Sequence, residues 1–310
     1  MKFISVVTAC YNEEENVVEL YTQVKDIFSN LPDYKYEHIF IDNASTDNTL
    51  KLLKSIARID KNLKIIVNVR NFGHIRSPYH GLLQANGDAV IFIAADLQDP
   101  PVLIREFIKK WEDGFKIVIG IKSKSEENFL MLTIRRLYYN LIKAFSYIEQ
   151  IKNFSGFGLY DKKFVDILKT LNEPYPYFRG LIADVGFERA EIEFVQPERK
   201  KGKSHNNFYT LYDTAMLGFV NYSLVPLRMA TFIGSILALI SFLIAVFYLV
   251  YKILFWKRFS VGISHIVIGF FFFFAVQLLF IGIIGEYIGA IYIQMKKRPL
   301  VIEKERINFD

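Results

Sequence analysis

Short apolar runs rich in Val and Ile, at residues 3–7, 38–41, 63–67, 89–93 and 117–119, alternate along the first part of the chain with segments of helical periodicity. That alternation predicts a βαβ architecture, a parallel sheet with helices on both faces. Helix starts fall between the runs: Asp99 before Pro100 and Pro101 reads as an N-cap and first turn, and Ser77 before Pro78 reads likewise. The helix that follows Pro101 carries Leu103, Phe107, Ile108 and Trp111 on one face, which predicts burial of that face. Residues 129–145 read as a helix bearing Arg135 and Arg136, and 206–222 as a polar and aromatic helix suited to lying in a membrane interface.

The pattern changes near residue 228. Residues 229–251 and 263–284 are runs without a formal charge, each long enough for the roughly 20 residues that cross a bilayer. The expected plan is therefore an α/β, Rossmann-like domain over 1–205, an interfacial amphipathic helix over 206–227, a two-helix transmembrane hairpin within 228–293 and a tail over 294–310. Composition agrees, since the 52% apolar content is concentrated in the last third of the 310 residues.

Charge refines the picture. The formal net charge is +6, and basic residues gather beside the apolar runs: Lys200, Lys201, Lys203 and Arg228 before the first, Lys296, Lys297, Arg298, Lys304 and Arg306 after the second. Short basic flanks stay cytoplasmic, so the expectation is a multi-pass protein of the plasma (inner) membrane with the 1–205 domain and both termini in the cytoplasm. The link between the runs, with Lys252, Lys257 and Arg258, reduces the contrast. No basic helix or aromatic-basic repeat points to nucleic acid as a partner. The single Cys10 excludes an intramolecular disulfide and fits a reducing compartment.

Sheets of this kind bind ligands outside the carboxyl ends of their strands. Four polar segments fall there: Ala9-Cys10-Tyr11-Asn12-Glu13-Glu14, Asp42-Asn43-Ala44-Ser45-Thr46-Asp47, Arg70-Asn71-Phe72-Gly73 and Ala95-Asp96-Leu97-Gln98-Asp99. No G-x-G-x-x-G follows the first strand and no G-x-x-x-x-G-K-[ST] occurs, so dinucleotide and P-loop chemistry lack support.

In this order and spacing, together with Ser155-Gly156-Phe157, Phe178-Arg179-Gly180-Leu181 and Arg199 with Gly202 and Ser204, these segments resemble the inverting family 2 glycosyltransferases. Within that family they are similar to the polyprenyl-phosphate enzymes, which include bactoprenol glucosyltransferases and dolichol-phosphate mannose synthases. The resemblance implies a GT-A nucleotide-sugar-binding domain and transfer of a hexose, with UDP-glucose favoured, onto undecaprenyl or another polyprenyl phosphate. It assigns Tyr11, Glu13, Asp42 and Asp96 to the nucleotide-sugar, and an acidic side chain does accept hydrogen bonds from a base N–H or a ribose hydroxyl. Local readings stand beside these assignments: Glu13 and Glu14 as helix caps, Asp42 and Ser45 as a turn. The family's usual second Asp is Asn43 here.

The resemblance also implies a divalent cofactor, Mg²⁺ or Mn²⁺, at Asp96 and Gln98, where it would neutralise charge on the departing nucleoside diphosphate. The usual Asp-x-Asp reads Ala94-Ala95-Asp96 in this chain. A phosphate monoester, with a second pKa of about 6, is already largely dianionic at neutral pH, so it needs cationic positioning. Arg135, Arg136, Arg179, Arg199 and Lys203 are the candidates, and with Asp96, Arg179 and Arg199 form the expected catalytic set. Two alternatives stay open. A processive polysaccharide synthase would carry Gln-x-x-Arg-Trp, and neither Trp111 nor Trp256 follows an Arg. A non-catalytic membrane scaffold or flippase partner keeping the fold draws support from Ala94. Gly234, Gly282, Gly285 and Gly289 offer small-residue faces for a homo-oligomer.

Overall fold

The computed structural model describes residues 1–124, 151–197, 216–218, 220, 222–255 and 263–309. The chain begins with β1 (Lys2–Cys10), α1 (Val17–Ser29), β2 (Tyr34–Asp42), α2 (Thr49–Ile59), β3 (Leu63–Asn68), α3 (Gly73–Gln84) and β4 (Ala89–Phe92). A 3₁₀ turn (Pro101–Leu103), α4 (Ile104–Glu112) and β5 (Ile117–Lys124) follow, then β6 (Phe154–Asp161), α5 (Lys162–Leu171), α6 (Phe178–Val185) and β7 (Arg189–Val195). Two long helices, α7 (Val225–Leu254) and α8 (Ile263–Met295), precede a last strand, β8 (Glu303–Ile307). All five apolar runs read from the sequence are strands.

The sheet order is β7-β5-β6-β4-β1-β2-β3-β8. Its centre, β4-β1-β2-β3, is parallel, and strands covered on both faces read as near-continuous Val and Ile. Alternate residues feed two cores. Ile4, Val6 and Phe40 pack with Leu20, Val24, Leu53, Phe107 and Trp111 beneath α1, α2 and α4. Val7, Ile39 and Ile41 pack with Tyr79, Leu82, Phe164 and Leu168 beneath α3 and α5.

Several expectations are corrected. The sheet is mixed rather than parallel: β6 inserts antiparallel between β4 and β5, and β8 runs antiparallel to β3. Ser77 is not an N-cap. Helix α3 starts at Gly73 and contains Pro78, and the buried Ser77 hydroxyl instead accepts from Asn68 Nδ2 at 3.1 Å. Asp99 caps nothing either, because Pro100 holds the N-cap position of the 3₁₀ turn without a side-chain cap. Along α4 the buried face is Ile104, Phe107, Ile108 and Trp111, with Leu103 only packed against its edge.

The stretch 294–310, read only as a tail, returns to the sheet and straps α3. Beyond the β8 pairing with β3, Arg76 Nη2 donates to Pro299 O at 2.5 Å, His80 Nε2 meets Glu303 Oε1 at 2.6 Å, and Arg306 Nη2 donates to Gln84 Oε1 at 2.7 Å. The helices 129–145 and 206–222 fall largely outside the described residues.

Helices α7 and α8 are long and apolar enough to cross a membrane, and within their most apolar stretches, Val225–Ile244 and Phe272–Met295, none of the described residues is buried. A core helix of a water-soluble domain would be covered; large side chains such as Phe242, Phe247, Leu278 and Leu279 are exposed here.

Candidate functional site

The four polar segments lie side by side because parallel strands deliver their carboxyl ends to one edge of the sheet. The first two are laced together. Asn12 N donates to Ser45 Oγ at 3.0 Å, Thr46 N to Asn12 Oδ1 at 2.8 Å, Glu13 N to Thr49 Oγ1 at 2.8 Å and Glu14 N to Asp47 Oδ2 at 3.1 Å. Asn48 returns two bonds to Glu14 Oε2. Non-glycine residues Asn12, Ala44 and Leu97 hold φ of 56°, 61° and 58°. Such conformations cost free energy and concentrate at functional sites.

Asp42 ends β2 fully buried. One carboxylate oxygen, Oδ2, takes the Ser45 amide at 3.2 Å, while Oδ1 is buried without a hydrogen-bond partner. Burial pushes the Asp42 carboxyl up, against the opposing hydrogen bonds from Ser45. The turn reading of Asp42 and Ser45 is thus half the account, and the second oxygen is an acceptor left without a partner beneath the strand end. Glu13 is engaged locally, with Oε2 taking Asn16 Nδ2 at 2.6 Å. Tyr11 lies half-buried in the same loop. The Cys10 thiol is pushed up by burial and then by the charges of Asp42, Glu13 and Asp47, which places four groups of one cradle in electrostatic reach.

Asn43 joins the second and third segments. Its Nδ2 donates to Asn71 Oδ1 at 2.9 Å and Gly73 O at 3.3 Å, and its Oδ1 accepts from Phe72 N at 2.9 Å and Asn68 Nδ2 at 3.0 Å. A carboxylate accepts only, so the amide is what this junction requires.

On the other side of β1, Asp96 is half-buried and its Oδ1 accepts the Gln98 amide at 3.3 Å. Asp99 turns inward: Oδ2 takes Ala94 N at 3.2 Å and Oδ1 the Ser155 hydroxyl at 3.4 Å. Burial pushes Asp99 up to about 6, opposed by the Lys122 charge and helped by that of Asp96. Among the described residues no cluster of three acidic, His or Cys side chains gathers. This donor set fits a hard divalent ion that keeps several waters and takes further oxygens from a diphosphate, and does not fit an ion caged by protein alone.

Ser155 links this loop to a cleft of about 180 Å³ between α3, the start of β6 and the start of α6. Its walls include Ile75, Pro78, Tyr79, Leu82, Phe92, Tyr177 and Phe178, and Arg179 and His74 stand among them. Gly156, at φ 104°, lets the strand pass Phe92 and Phe178: a Cβ there would lie 3.4 Å from the first ring and 3.9 Å from the second. The structure therefore brings Tyr11, Glu13 and Asp42 into one cradle, and Asp96, Gln98 and Arg179 to its opposite flank. Arg135, Arg136, Arg199 and Lys203 lie outside the described residues. Sequence reasoning missed the inward Asp99 and the Asn43 junction; the second carboxylate three residues after Asp96 in the same polar loop was the signal available.

A family model described as glycosyl transferase family 2 matches residues 5–166, from within β1 through β6 into α5. The chain belongs to glycosyl transferase family 2. Family relatives match beyond the sheet. The uncharacterized glycosyltransferase YkcC of Bacillus subtilis (strain 168) is 34% identical over 96% of this chain and 92% of its own. The SfII prophage-derived bactoprenol glucosyl transferase of Shigella flexneri is 34% identical over 97% of each. The prophage bactoprenol glucosyl transferase homolog of Escherichia coli (strain K12) is 32% identical over 97% and 98%.

Proposed function

We propose that this family 2 glycosyltransferase moves a hexose, glucose from UDP-glucose, with inversion onto a polyprenyl phosphate such as undecaprenyl phosphate at the cytoplasmic face of a membrane. The observation that carries this reading is the extent of the match to proteins named bactoprenol glucosyl transferases, which takes in the two apolar helices as well as the sheet. A polyprenyl chain is insoluble in water, so an enzyme acting on its phosphate must hold the catalytic domain at the headgroup level. Helices of 30 and 33 residues span about 45–50 Å at 1.5 Å per residue, more than the roughly 30 Å hydrocarbon layer. Because β8 pairs with β3, the chain on either side of the hairpin belongs to one domain, which agrees with two crossings. The basic flanks support a cytoplasmic position for that domain.

The site residues then take roles. Asp42 Oδ1 accepts from the base or ribose, with Tyr11 and Glu13 beside it. Asp96 and Gln98 hold Mg²⁺ or Mn²⁺, which when bound neutralises charge on the leaving diphosphate. Arg179 orients the acceptor phosphate through paired N–H groups, and the apolar cleft walls keep water, the competing nucleophile, from the anomeric carbon. Arg135, Arg136, Arg199 and Lys203 complete the phosphate-binding set in this reading. The phosphate oxygen attacks from the face opposite the diphosphate, so an α-linked donor yields a β-linked product with no covalent enzyme intermediate. Copies of the chain associate through Gly234, Gly282, Gly285 and Gly289, where an added Cβ would meet nothing within 4 Å in one protomer.

The test is sugar transfer by purified protein in detergent with undecaprenyl phosphate, a divalent ion and radiolabelled UDP-glucose beside other UDP- and GDP-sugars. Label entering the lipid phase from UDP-glucose is expected. Label from another donor alone would correct the sugar. Nucleotide binding without turnover from any donor would favour the scaffold reading that Ala94 supports.

A further inference from the structure

Three arginines meet where α8 hands the chain back to the sheet. Arg70, just past β3, places its guanidinium carbon 4.0 Å from the centroid of the Phe72 ring, and Arg76, on α3, lies 5.5 Å from the same centroid. The Arg76 Nη2 bond to Pro299 O, 2.5 Å, brings the adjoining Arg298 to this corner. Among the described residues no carboxylate pairs with any of the three, and Arg76 Nε is buried with no hydrogen-bond partner. Burial first, then the charge of Arg70 and, against an opposing contribution from Tyr175, that of Arg298, lower the proton affinity of Arg76.

We propose that Arg70, Arg76 and Arg298 form a binding site for the phosphate of an anionic phospholipid headgroup. Guanidinium groups carry several N–H donors that match phosphate oxygens; Arg70 Nη1 donates to Asn71 O at 2.9 Å and Arg76 Nη2 to Pro299 O, which fixes both groups beside the Phe72 ring with further Nη N–H groups left for an anion. The position favours a bilayer lipid over the reacting acceptor. On α3, Arg76, His80 and Gln84 face the strap at intervals of four residues, whereas Ile75, Tyr79 and Leu82 face the catalytic cleft. The two sites therefore occupy nearly opposite sides of one helix. Arg298 follows Met295, the last residue of the apolar stretch of α8, by three positions, which is headgroup depth, and exposed Lys296 and Lys297 extend the positive field there. An occupied site pins the exit of α8 to α3, and through α3 steadies the cleft wall.

This site rests on the membrane reading of α7 and α8. The experiment offers full-length protein phosphatidylglycerol or phosphatidylcholine and counts retained lipids by native mass spectrometry. The wild type is expected to retain phosphatidylglycerol in preference. Arg298→Gln, whose side chain bonds to no described residue, should lower that retention about fivefold, the effect of one surface cation on anionic lipid. Arg76→Gln with Arg298→Gln should lower it further, and Lys109→Gln with Lys110→Gln on α4 should leave it unchanged. Unchanged retention in Arg298→Gln, or displacement of the lipid by inorganic phosphate as readily as by phosphatidylglycerol, overturns the site. A wild-type chain that enters bilayers but shows no lipid preference also overturns it; one that does not enter bilayers removes the membrane reading itself.

Discussion

Replacing Asn43 by Asp restores the residue more usual in the family and should nonetheless damage this protein. The Asn43 amide gives two hydrogen bonds, to Asn71 Oδ1 and Gly73 O, and receives two, from Phe72 N and Asn68 Nδ2. In Asn43→Asp the ionised side chain loses both donated bonds, each worth about 1 kcal/mol net, and sets a buried carboxylate oxygen against acceptors at a further cost of about 1–3 kcal/mol. It also adds charge beside Asp42, whose own carboxyl burial already pushes up. The sum is a loss of about 3–5 kcal/mol at pH 8. Protonation offers relief, because the acid form regains one donor, at about 1.4 kcal/mol for each pH unit above its pKa. The folded pKa of the introduced carboxyl is raised, so the variant is most stable at low pH and loses stability as pH rises through that folded value. Thermal melts in detergent and donor KM at pH 8 and pH 6 read the effect. Asn43→Asp should melt lower at pH 8, raise donor KM about tenfold, equivalent to about 1.4 kcal/mol, and recover part of both at pH 6. Wild-type melting and KM at pH 8 would refute the claim that this junction needs a donor.

Other perturbations separate roles within the same framework. Asp96→Asn should cut kcat about a hundredfold or more, several kcal/mol of charge stabilisation, with little change in melting; wild-type turnover at limiting Mg²⁺ would remove the metal role. Arg179→Ala should raise KM for the lipid phosphate while leaving donor KM near its starting value, and an unchanged acceptor dependence takes Arg179 out of the site. Glu303→Ala, which releases His80 of α3 from the strap and removes the partner of Arg306 within it, should cost about 1–3 kcal/mol and raise acceptor KM through α3; an unaltered melt would show this contact of the strap to be dispensable. Burial holds His38 down to about 3, whereas the unfolded chain takes up that proton below about 6.5. The wild type should therefore lose stability as pH falls from 6.5, by about 1.4 kcal/mol per unit, with His38→Gln flatter; parallel pH profiles would contradict this.

The outline of the site was legible before the fold was seen because its four loops follow strands, and strands announce themselves through local runs of Val and Ile. The loops could be located on that basis, and the resemblance to family 2 glycosyltransferases then singled out Asp42 and Asp96 within them. Asp99 was misread because Asp before Pro-Pro is a common local cap, and only the approach of Ser155, 56 positions away, shows the carboxylate turned inward. Asn43 reads as a neutral replacement along the chain, and its four partners come from β3 and the turn into α3.

Alternation, helical spacing and uninterrupted hydrophobicity are properties of neighbouring residues, so the sequence alone determined β1 to β5, most of the α4 face, the two long apolar helices and the placement of polar loops at strand ends. Strand order and long-range closure are not local. The insertion of β6 between β4 and β5, the return of β8 to β3, the cleft at Arg179 and the cluster of Arg70, Arg76 and Arg298 follow from register and packing between residues as far apart as Arg76 and Pro299, 223 positions. No periodicity reports such pairings, because the free energy that selects them comes from surfaces that exist only once the sheet has formed.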